Sequence, residues 1–297
     1  MARWKVASQE SGCSLLVFIK SKMDSSIASR QIKKAIDAGR CRLNGKTERF
    51  SSKLVGFGDN VEFDGIEATT SLPQKMVVSS EEILFVDEDL LAYNKPAGIS
   101  SEDPNLLSAL KALVSNLALL HRLDRETSGV LLFARNPKAE KALLTSFKQR
   151  KIKKTYFAIV DAIPSKPTGV IEDFLGKLHV YQGQTLWGEV SLEKGGVFAR
   201  TVWELKCSGK EVSLVVCYPE TGRTHQIRVH LSGIGHPILG DHQYGRAFRS
   251  RYQAPRIMLH AADVEFDHPR TNQKITISAP LPNDFKVVLS LIENLSL

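Results

Sequence analysis

Four stretches of the chain concentrate side chains able to do chemistry: Asn94-Lys95-Pro96-Ala97-Gly98, His121 to Gly129, Lys154-Thr155-Tyr156 and Gly222 to His230. Between them they supply a carboxylate flanked by guanidinium groups (Asp124 between Arg122 and Arg125), a phenol beside lysines (Tyr156) and a further arginine, Arg228. These are the types used in carboxylate-based nucleophilic and acid–base chemistry. Taken singly, each stretch also has a structural explanation. Lys95-Pro96-Ala97-Gly98 reads as a turn, Asp124 with its arginines as a surface ion pair, and Tyr156 as a strand residue with its hydroxyl at the rim.

The elements that must position these groups can be read around them. Ile227, Leu231 and Ile234 fall on one helical stripe, with Thr224 as the expected N-cap and Gly235 as the stop. Arg228 then sits beside a packed face. Asn136-Pro137 starts a helix whose buried stripe is Ala139, Ala142, Leu143 and Phe147. The apolar run Leu106–Leu120 carries Ser108, Lys111, Ser115 and Asn116, so it reads as a packed helix. Strands are expected at Ile83–Val86, Leu90–Tyr93, Val130–Ala134, Tyr156–Val160, Val212–Cys217 and Lys274–Ser278. Strands in irregular alternation with helices predict an α+β fold: a mixed, mainly antiparallel sheet flanked by helices, preceded by a small N-terminal α/β domain.

That N-terminal part holds the densest charge. Eight basic residues lie between Arg30 and Lys53 against only Asp37 and Glu48. Ile32, Ala35 and Ile36 mark a buried helix face with Lys33 and Lys34 off it, and Gly39 is the stop. Cys41 to Leu43 forms a strand entering an Asn44-Gly45 hairpin turn. This order resembles the RNA-binding module named after ribosomal protein S-four over about Ser14 to Phe63, notably in Ser29–Ile36 and Arg42-Leu43-Asn44-Gly45-Lys46. The resemblance implies RNA contacts from Arg30, Lys33, Lys34, Arg42 and Lys46. The expected division is an RNA-binding domain at 14–65, a linker at 66–80 and a catalytic domain at 81–297.

Over roughly residues 83–280 the chain resembles the RluA-type pseudouridine synthases. His121-Arg122-Leu123-Asp124-Arg125-Glu126-Thr127-Ser128-Gly129 matches the catalytic signature of that family. Gly222-Arg223-Thr224-His225-Gln226-Ile227-Arg228-Val229-His230 matches a second signature, continued by Gly235-His236-Pro237-Ile238-Leu239-Gly240-Asp241, and Arg256-Ile257-Met258-Leu259-His260-Ala261 matches a third. One departure is visible: Ile99-Ser100-Ser101-Glu102-Asp103 stands where many relatives have an apolar run ending in His-Pro.

The resemblance implies an isomerisation of uridine that breaks a carbon–nitrogen glycosidic bond, turns the base and rejoins it through carbon. The expected catalytic residues are Asp124 as nucleophile, Tyr156 stacked on the base and exchanging a proton, and Arg228 holding Asp124 charged and oriented. Arg122 is expected to fill the gap left by the extruded nucleotide and Leu259 to close the base pocket, with Arg223, Gln226 and Lys95 as further substrate contacts. The reaction has no redox step and gains no group, so neither a metal nor an organic cofactor is expected.

His225, His230, His236 and His242 lack the carboxylate or thiol spacing of a metal site and read as structural. Lys148, Arg150, Lys151, Lys153 and Lys154 read as a phosphate clamp beside Tyr156, and Arg246, Arg249, Arg251 and Arg256 as lining an RNA path.

Composition agrees with these readings. Forty Lys and Arg against 32 Asp and Glu give a net charge of +8, which suits a polyanionic partner. The resemblance implies structured RNA as that partner, large-subunit ribosomal RNA first and transfer RNA second. The four cysteines, Cys13, Cys41, Cys207 and Cys217, form no CxxC pair, and no apolar run is long enough to span a bilayer. The chain is therefore expected to be a soluble cytoplasmic monomer that does not meet membranes. Two competing classes remain: a non-catalytic RNA-binding protein on the same fold, and an aspartate-dependent hydrolase of a small molecule.

Overall fold

The computed structural model describes residues 2–24, 27–48, 51–65, 76–181, 184–245, 248–252 and 254–293. The chain divides into two compact units, Met1–Lys75 and Met76–Leu297.

The first unit runs through β1 (Ala2–Lys5), α1 (Leu15–Ser21), α2 (Ser29–Asp37), β2 (Cys41–Leu43), β3 (Lys46–Glu48) and β4 (Asn60–Phe63). Its antiparallel sheet has the order β1-β4-β2-β3. Ile32, Ala35 and Ile36 of α2 pack with Phe18, Ile19 and Phe63, on the face expected from their spacing. Asn44 and Gly45 both take positive φ, 52° and 78°, the geometry of a tight hairpin turn whose twist matches the strands. The unit starts earlier than the expected residue 14, because β1 pairs along β4 and Val6 is buried in the same core. Of the expected linker, residues 66–75 lie outside the described residues. Val78 is buried among Leu91, Tyr93 and Leu106, so the segment from residue 76 belongs to the second unit.

The second unit comprises β5 (Ile83–Val86), β6 (Leu90–Lys95), α3 (Pro104–Leu113), β7 (Ala118–Leu119), β8 (Ser128–Ala134), α4 (Pro137–Lys148), β9 (Lys153–Asp161), β10 (Thr168–Tyr181), β11 (Gln184–Glu189), β12 (Val197–Ser208), β13 (Val212–Pro219), α5 (Gln226–Gly233), β14 (Leu259–Asp267), β15 (Lys274–Ser278) and α6 (Asn283–Glu293). Its sheet follows the order β11-β10-β12-β13-β9-β14-β8-β6-β5, with β15 added to β14 and β7 to β8. The β8–β14 contact is parallel and the other described pairs are antiparallel, so the sheet is mixed and mainly antiparallel as expected.

Strand β8 shows why a continuous apolar run was needed here. Val130, Leu132 and Ala134 pack on Ala139 and Leu143 of α4, while Leu131 and Phe133 pack on Leu106 and Leu110 of α3. Both faces of the strand are covered, so alternation with polar residues has no place. Asn136 caps α4, its side-chain oxygen accepting the Ala139 amide at 2.8 Å, with Pro137 at the first turn. The helix expected over Leu106–Leu120 ends at Leu113. Val114 is extended, Asn116 takes a φ of 60°, and Ala118–Leu119 pairs with β8 instead.

Gly129 sits where β8 meets β14 in parallel, opposite Ala261. Its φ is +116°, and a Cβ there would lie 2.0 Å from the Ala261 carbonyl oxygen, so this register demands glycine. The end of the His121–Gly129 stretch is thereby fixed against the strand that carries Leu259.

Candidate active site

Asp124 lies on the loop between β7 and β8, and that loop is tied down from below. Leu123 is held on both sides by the buried Ser101 hydroxyl, which accepts its amide and donates to its carbonyl, each at 2.9 Å. The Thr127 amide closes a turn onto the Asp124 carbonyl at 3.0 Å. Arg125 donates from Nε to the Gly98 carbonyl at 2.8 Å, and the Gly98 amide returns a bond to the Arg125 carbonyl at 2.8 Å.

Lys95 completes this scaffold. It is fully buried, and its ammonium donates to the carbonyls of Pro96, Ile99 and Arg125 at 2.9, 2.9 and 3.2 Å. Burial pushes it down to about 8, against the nearby charges of Glu126 and Asp124, so it still carries its proton at neutral pH. Lys95 is therefore a strut beneath the loop, and the expected substrate contact is corrected: all three of its donors are taken by main chain.

Arg228 reaches Asp124 from α5. Its Nη1 is 3.4 Å from Asp124 Oδ2. The rest of the guanidinium is fully engaged: Nε and Nη2 clamp Asp241 at 2.7 and 3.0 Å, Nη2 also reaches Gln243 Oε1 at 3.0 Å, and the plane lies 4.9 Å from the Tyr244 ring centroid. Arg228 and Asp241 are both buried, so this is a desolvated two-point ion pair, and it leaves one edge of the fork for Asp124. Burial alone would lower the guanidinium's proton affinity, but the bonds and charge of Asp241 outweigh it and raise it above the usual value. Helix α5 begins one residue later than expected. His225, not Thr224, occupies the N-cap, with a left-handed φ of 56°. Ile227 and Leu231 are buried as the stripe required, whereas Ile234 is 39% exposed and lies at its edge.

Around Asp124 opens a cleft of ≈ 900 Å³ whose lining includes Tyr156, Arg228, Leu259, Arg122, Arg223 and Arg150. A smaller cavity of ≈ 450 Å³ shares Asp124, His225 and Arg228 and extends to Thr185 and Gln243. Tyr156 comes from β9 and the buried Leu259 from the start of β14, adjacent strands of the sheet. Burial, and then the charge of Asp124, push the Tyr156 hydroxyl above its ordinary range, so at neutral pH it holds its proton. Arg122 stands at the rim, its side chain 63% exposed, with a single ion pair to Glu102 at 3.4 Å. Arg223 is exposed and bonds the Phe198 carbonyl at 3.0 Å.

Gln226 is a second correction to the expected substrate contacts. Its amide oxygen accepts the Thr221 hydroxyl and the Arg223 amide at 2.6 and 3.0 Å, and its nitrogen donates to the Arg200 carbonyl and Thr201 hydroxyl at 2.9 Å each. Every bonding position is filled by the protein, so Gln226 shapes the loop before α5.

The other basic groups divide. Lys148, Arg150 and Lys154 line the cleft, while Lys153 pairs with Glu265 at 3.1 Å and Lys151 is exposed away from it. Arg256, expected on an RNA path, is half-buried, and its guanidinium is taken up by protein partners at the edge of the smaller cavity. It clamps Asp284 at 2.6 and 3.0 Å and donates to the Ile257 carbonyl at 2.9 Å. Arg246 lies outside the described residues.

The histidines hold structural bonds: His225 to Tyr244, His230 to Thr201 and His236 to the Asp161 carbonyl, at 2.7, 2.9 and 3.0 Å. Among the described residues the group with metal-like spacing is elsewhere, at Asp87, Asp89 and His268. It is already paired within the protein, His268 to Asp87 at 2.8 Å and Arg270 to Asp89 at 2.7 Å.

Ser101, Asp241, Gln243 and Tyr244 were not expected in these roles. The available signal was indirect: an arginine on the packed side of a helix needs a buried anion, and Asp241 is a carboxylate shortly after the helix, next to Gly240. No spacing rule points to Ser101, which lies in the segment that departs from its relatives.

Residues 89–233 match the family model for RNA pseudouridylate synthase. An uncharacterized RNA pseudouridine synthase of Zymomonas mobilis is 40% identical over 223 residues, 71% of this chain and 98% of that protein. The ribosomal large subunit pseudouridine synthase C of Buchnera aphidicola is 32% identical over 294 aligned residues, 93% of this chain and 92% of that one. Among solved structures, human RNA pseudouridylate synthase domain containing 4 superposes with a TM-score of 0.59 at 26% identity, covering 72% of this chain and 93% of that chain. With 30% identity or more over most of the chain to such enzymes, the chain belongs to the RluA-type family of RNA pseudouridine synthases.

Proposed function

We propose that the chain isomerises specific uridines of large-subunit ribosomal RNA, with Asp124 as the reacting carboxylate. The observation that carries this reading is the convergence of Asp124, Arg228, Tyr156 and Leu259, from four separate segments, on one cleft. The large-subunit assignment draws on the similarity to the Buchnera enzyme over 93% of the chain.

In this scheme the target nucleotide leaves its stack, which costs a few kcal/mol, and Arg122 at the exposed rim takes the vacated space. The uracil enters between Tyr156 and Leu259. Arg228 fixes Asp124 Oδ2, leaving the other oxygen to react. Attack at the sugar carbon, addition to the base and assistance of an elimination all start from that oxygen. Each ends with the base rejoined through C5, the C5 proton lost and N1 protonated. Tyr156, protonated at neutral pH, serves as stacking surface and proton donor. Arg150, Lys154 and Arg223 meet backbone phosphates at the cleft wall.

The first unit is read as a second RNA contact. Arg30, Lys33, Arg42 and Lys46 are exposed on its helix and hairpin. The Lys34 side chain lies outside the described residues. The four free cysteines suit a cytoplasmic enzyme, and we read it as acting as a monomer.

Pseudouridine mapping by carbodiimide modification and primer extension, in ribosomal RNA from a strain lacking this gene, tests the substrate. Loss of one or more large-subunit positions is expected. An unchanged ribosomal map with a changed transfer RNA map would move the enzyme to transfer RNA.

A further inference from the structure

Among the described residues strand β11 is the outer edge of the sheet, so one row of its backbone groups has no strand partner there. Two of those groups are used by side chains of the active site. The Trp187 amide donates to Tyr244 Oη at 3.2 Å, and the Thr185 carbonyl accepts from Gln243 Nε2 at 3.1 Å. Tyr244 continues to His225 Nδ1 at 2.7 Å, and Gln243 Oε1 to Arg228 Nη2 at 3.0 Å. His225 and Arg228 then converge on one atom, Asp124 Oδ2, at 3.9 and 3.4 Å.

Proton accounting fixes the direction of the first chain. A backbone amide can only donate, so Tyr244 Oη accepts from Trp187 and must place its own proton elsewhere. Burial pushes the Tyr244 hydroxyl up to about 12, so that proton is present at neutral pH. The near partner is His225 Nδ1. His225 is itself held below its ordinary value by burial, with the charge of Asp124 only partly opposing, and is neutral. A neutral imidazole that accepts at Nδ1 carries its proton at Nε2. That proton faces Asp124 Oδ2. At 3.9 Å the contact is longer than a hydrogen bond, as catalytic contacts often are before substrate closes the site. His225 also holds a left-handed φ of 56°, a conformation that costs a non-glycine residue energy and is kept where its surroundings dictate it.

We propose that Tyr244, acting through His225, is a positioning residue for Asp124, and that edge strand β11 anchors it. Two arms from one strand thus fix the same carboxylate oxygen and leave Oδ1 as the reactive one. This relay presupposes that Asp124 is the reacting carboxylate.

The direct test is nitrogen-15 NMR of the full chain with labelled histidine, the His225 signals assigned by their loss in His225→Gln. The Nε2–H tautomer is expected in the wild type, with Tyr244→Phe shifting His225 toward a mixture of tautomers. An Nδ1–H tautomer in the wild type would overturn the relay. In kinetics on a uridine-containing RNA, Tyr244→Phe is expected to lower kcat about tenfold and leave KM within about twofold, since the ring under Arg228 is kept. In a His225→Gln background the same change is expected to have almost no further effect. A full tenfold loss in that background, or wild-type kcat in Tyr244→Phe alone, would contradict the proposal. The tautomer is read without substrate, so its failure is distinct from that of the functional reading, which falls if the wild type converts no RNA or if Asp124→Asn converts it at the wild-type rate.

Discussion

Two arginines flank Asp124, and they are built in opposite ways. Arg228 is 5% exposed, paired at two points with the buried Asp241 and bonded again to Gln243. Arg122 is 63% exposed on its side chain and holds one long contact to an equally open Glu102. The first geometry is fixed before substrate arrives, because Nε and Nη2 are held by Asp241 and Gln243 and the Arg228–Asp241 pair is buried. The second costs little to rearrange, since an exposed ion pair contributes at most about 1 kcal/mol. The floor of the site is thus preorganised to hold the carboxylate, and the rim is left free to meet RNA.

That contrast makes ranked predictions. Arg228→Met removes one partner of the buried pair and leaves Asp241 charged without compensation. A loss of about 3–5 kcal/mol in unfolding free energy is expected, read by denaturant titration, together with loss of activity. A loss below about 1 kcal/mol would mean that the floor is not preorganised.

The second concerns the buried His230, which burial lowers to about 4. Its unfolded value is near 6.5, so the unfolded chain takes up a proton first as pH falls. Stability from the neutral native form is complete above about 6.5 and is lost progressively toward about 4, amounting to roughly 2 kcal/mol at pH 5. Comparing unfolding free energies at pH 7 and pH 5 for the wild type and His230→Asn isolates it, the variant being expected to show the smaller fall.

Third, Ser101→Ala leaves both main-chain groups of the buried Leu123 without their partner. About 1–3 kcal/mol of stability and a reduced kcat are expected, with RNA affinity unchanged in a filter-binding assay. Arg122→Ala is the smallest in stability: no measurable change in Tm, but about a tenfold lower kcat/KM on duplexed RNA and less on a substrate whose uridine is already unstacked. Equal losses on the two RNAs would break the assignment of Arg122 to base extrusion.

Much of this was legible from residue patterns. The apolar runs of β6, β8 and β13, the Asn136-Pro137 cap and the Asn44-Gly45 turn are local signals, and local physics decides them. The long strands β10 and β12 were not anticipated, because their sequences mix polar and apolar residues and their pairing is set by each other. The helix from Leu106 was overextended because its apolar run continues into β7, where pairing with β8 overrides helical spacing.

At the site, the motifs located Asp124, Arg228, Tyr156 and Leu259 but could not tell a side chain that faces the cleft from one that faces the scaffold. Lys95 and Gln226 are polar and lie inside motifs, yet both are saturated by the protein. Their roles depend on which carbonyls fold back beside them, and only tertiary structure supplies that. Asp241, Gln243 and Tyr244 were hidden for the same reason: their function is set by a partner 13 to 16 residues earlier.

The central claim is that the preorganised floor exists to present Asp124 as the reacting group. Single-turnover conversion of a uridine in target RNA by Asp124→Asn, with wild-type protein alongside and binding checked separately, tests it most directly. Retained RNA binding with conversion lowered at least about a thousandfold is expected, because the amide keeps the shape and loses the nucleophile. Conversion at or near the wild-type rate would contradict it.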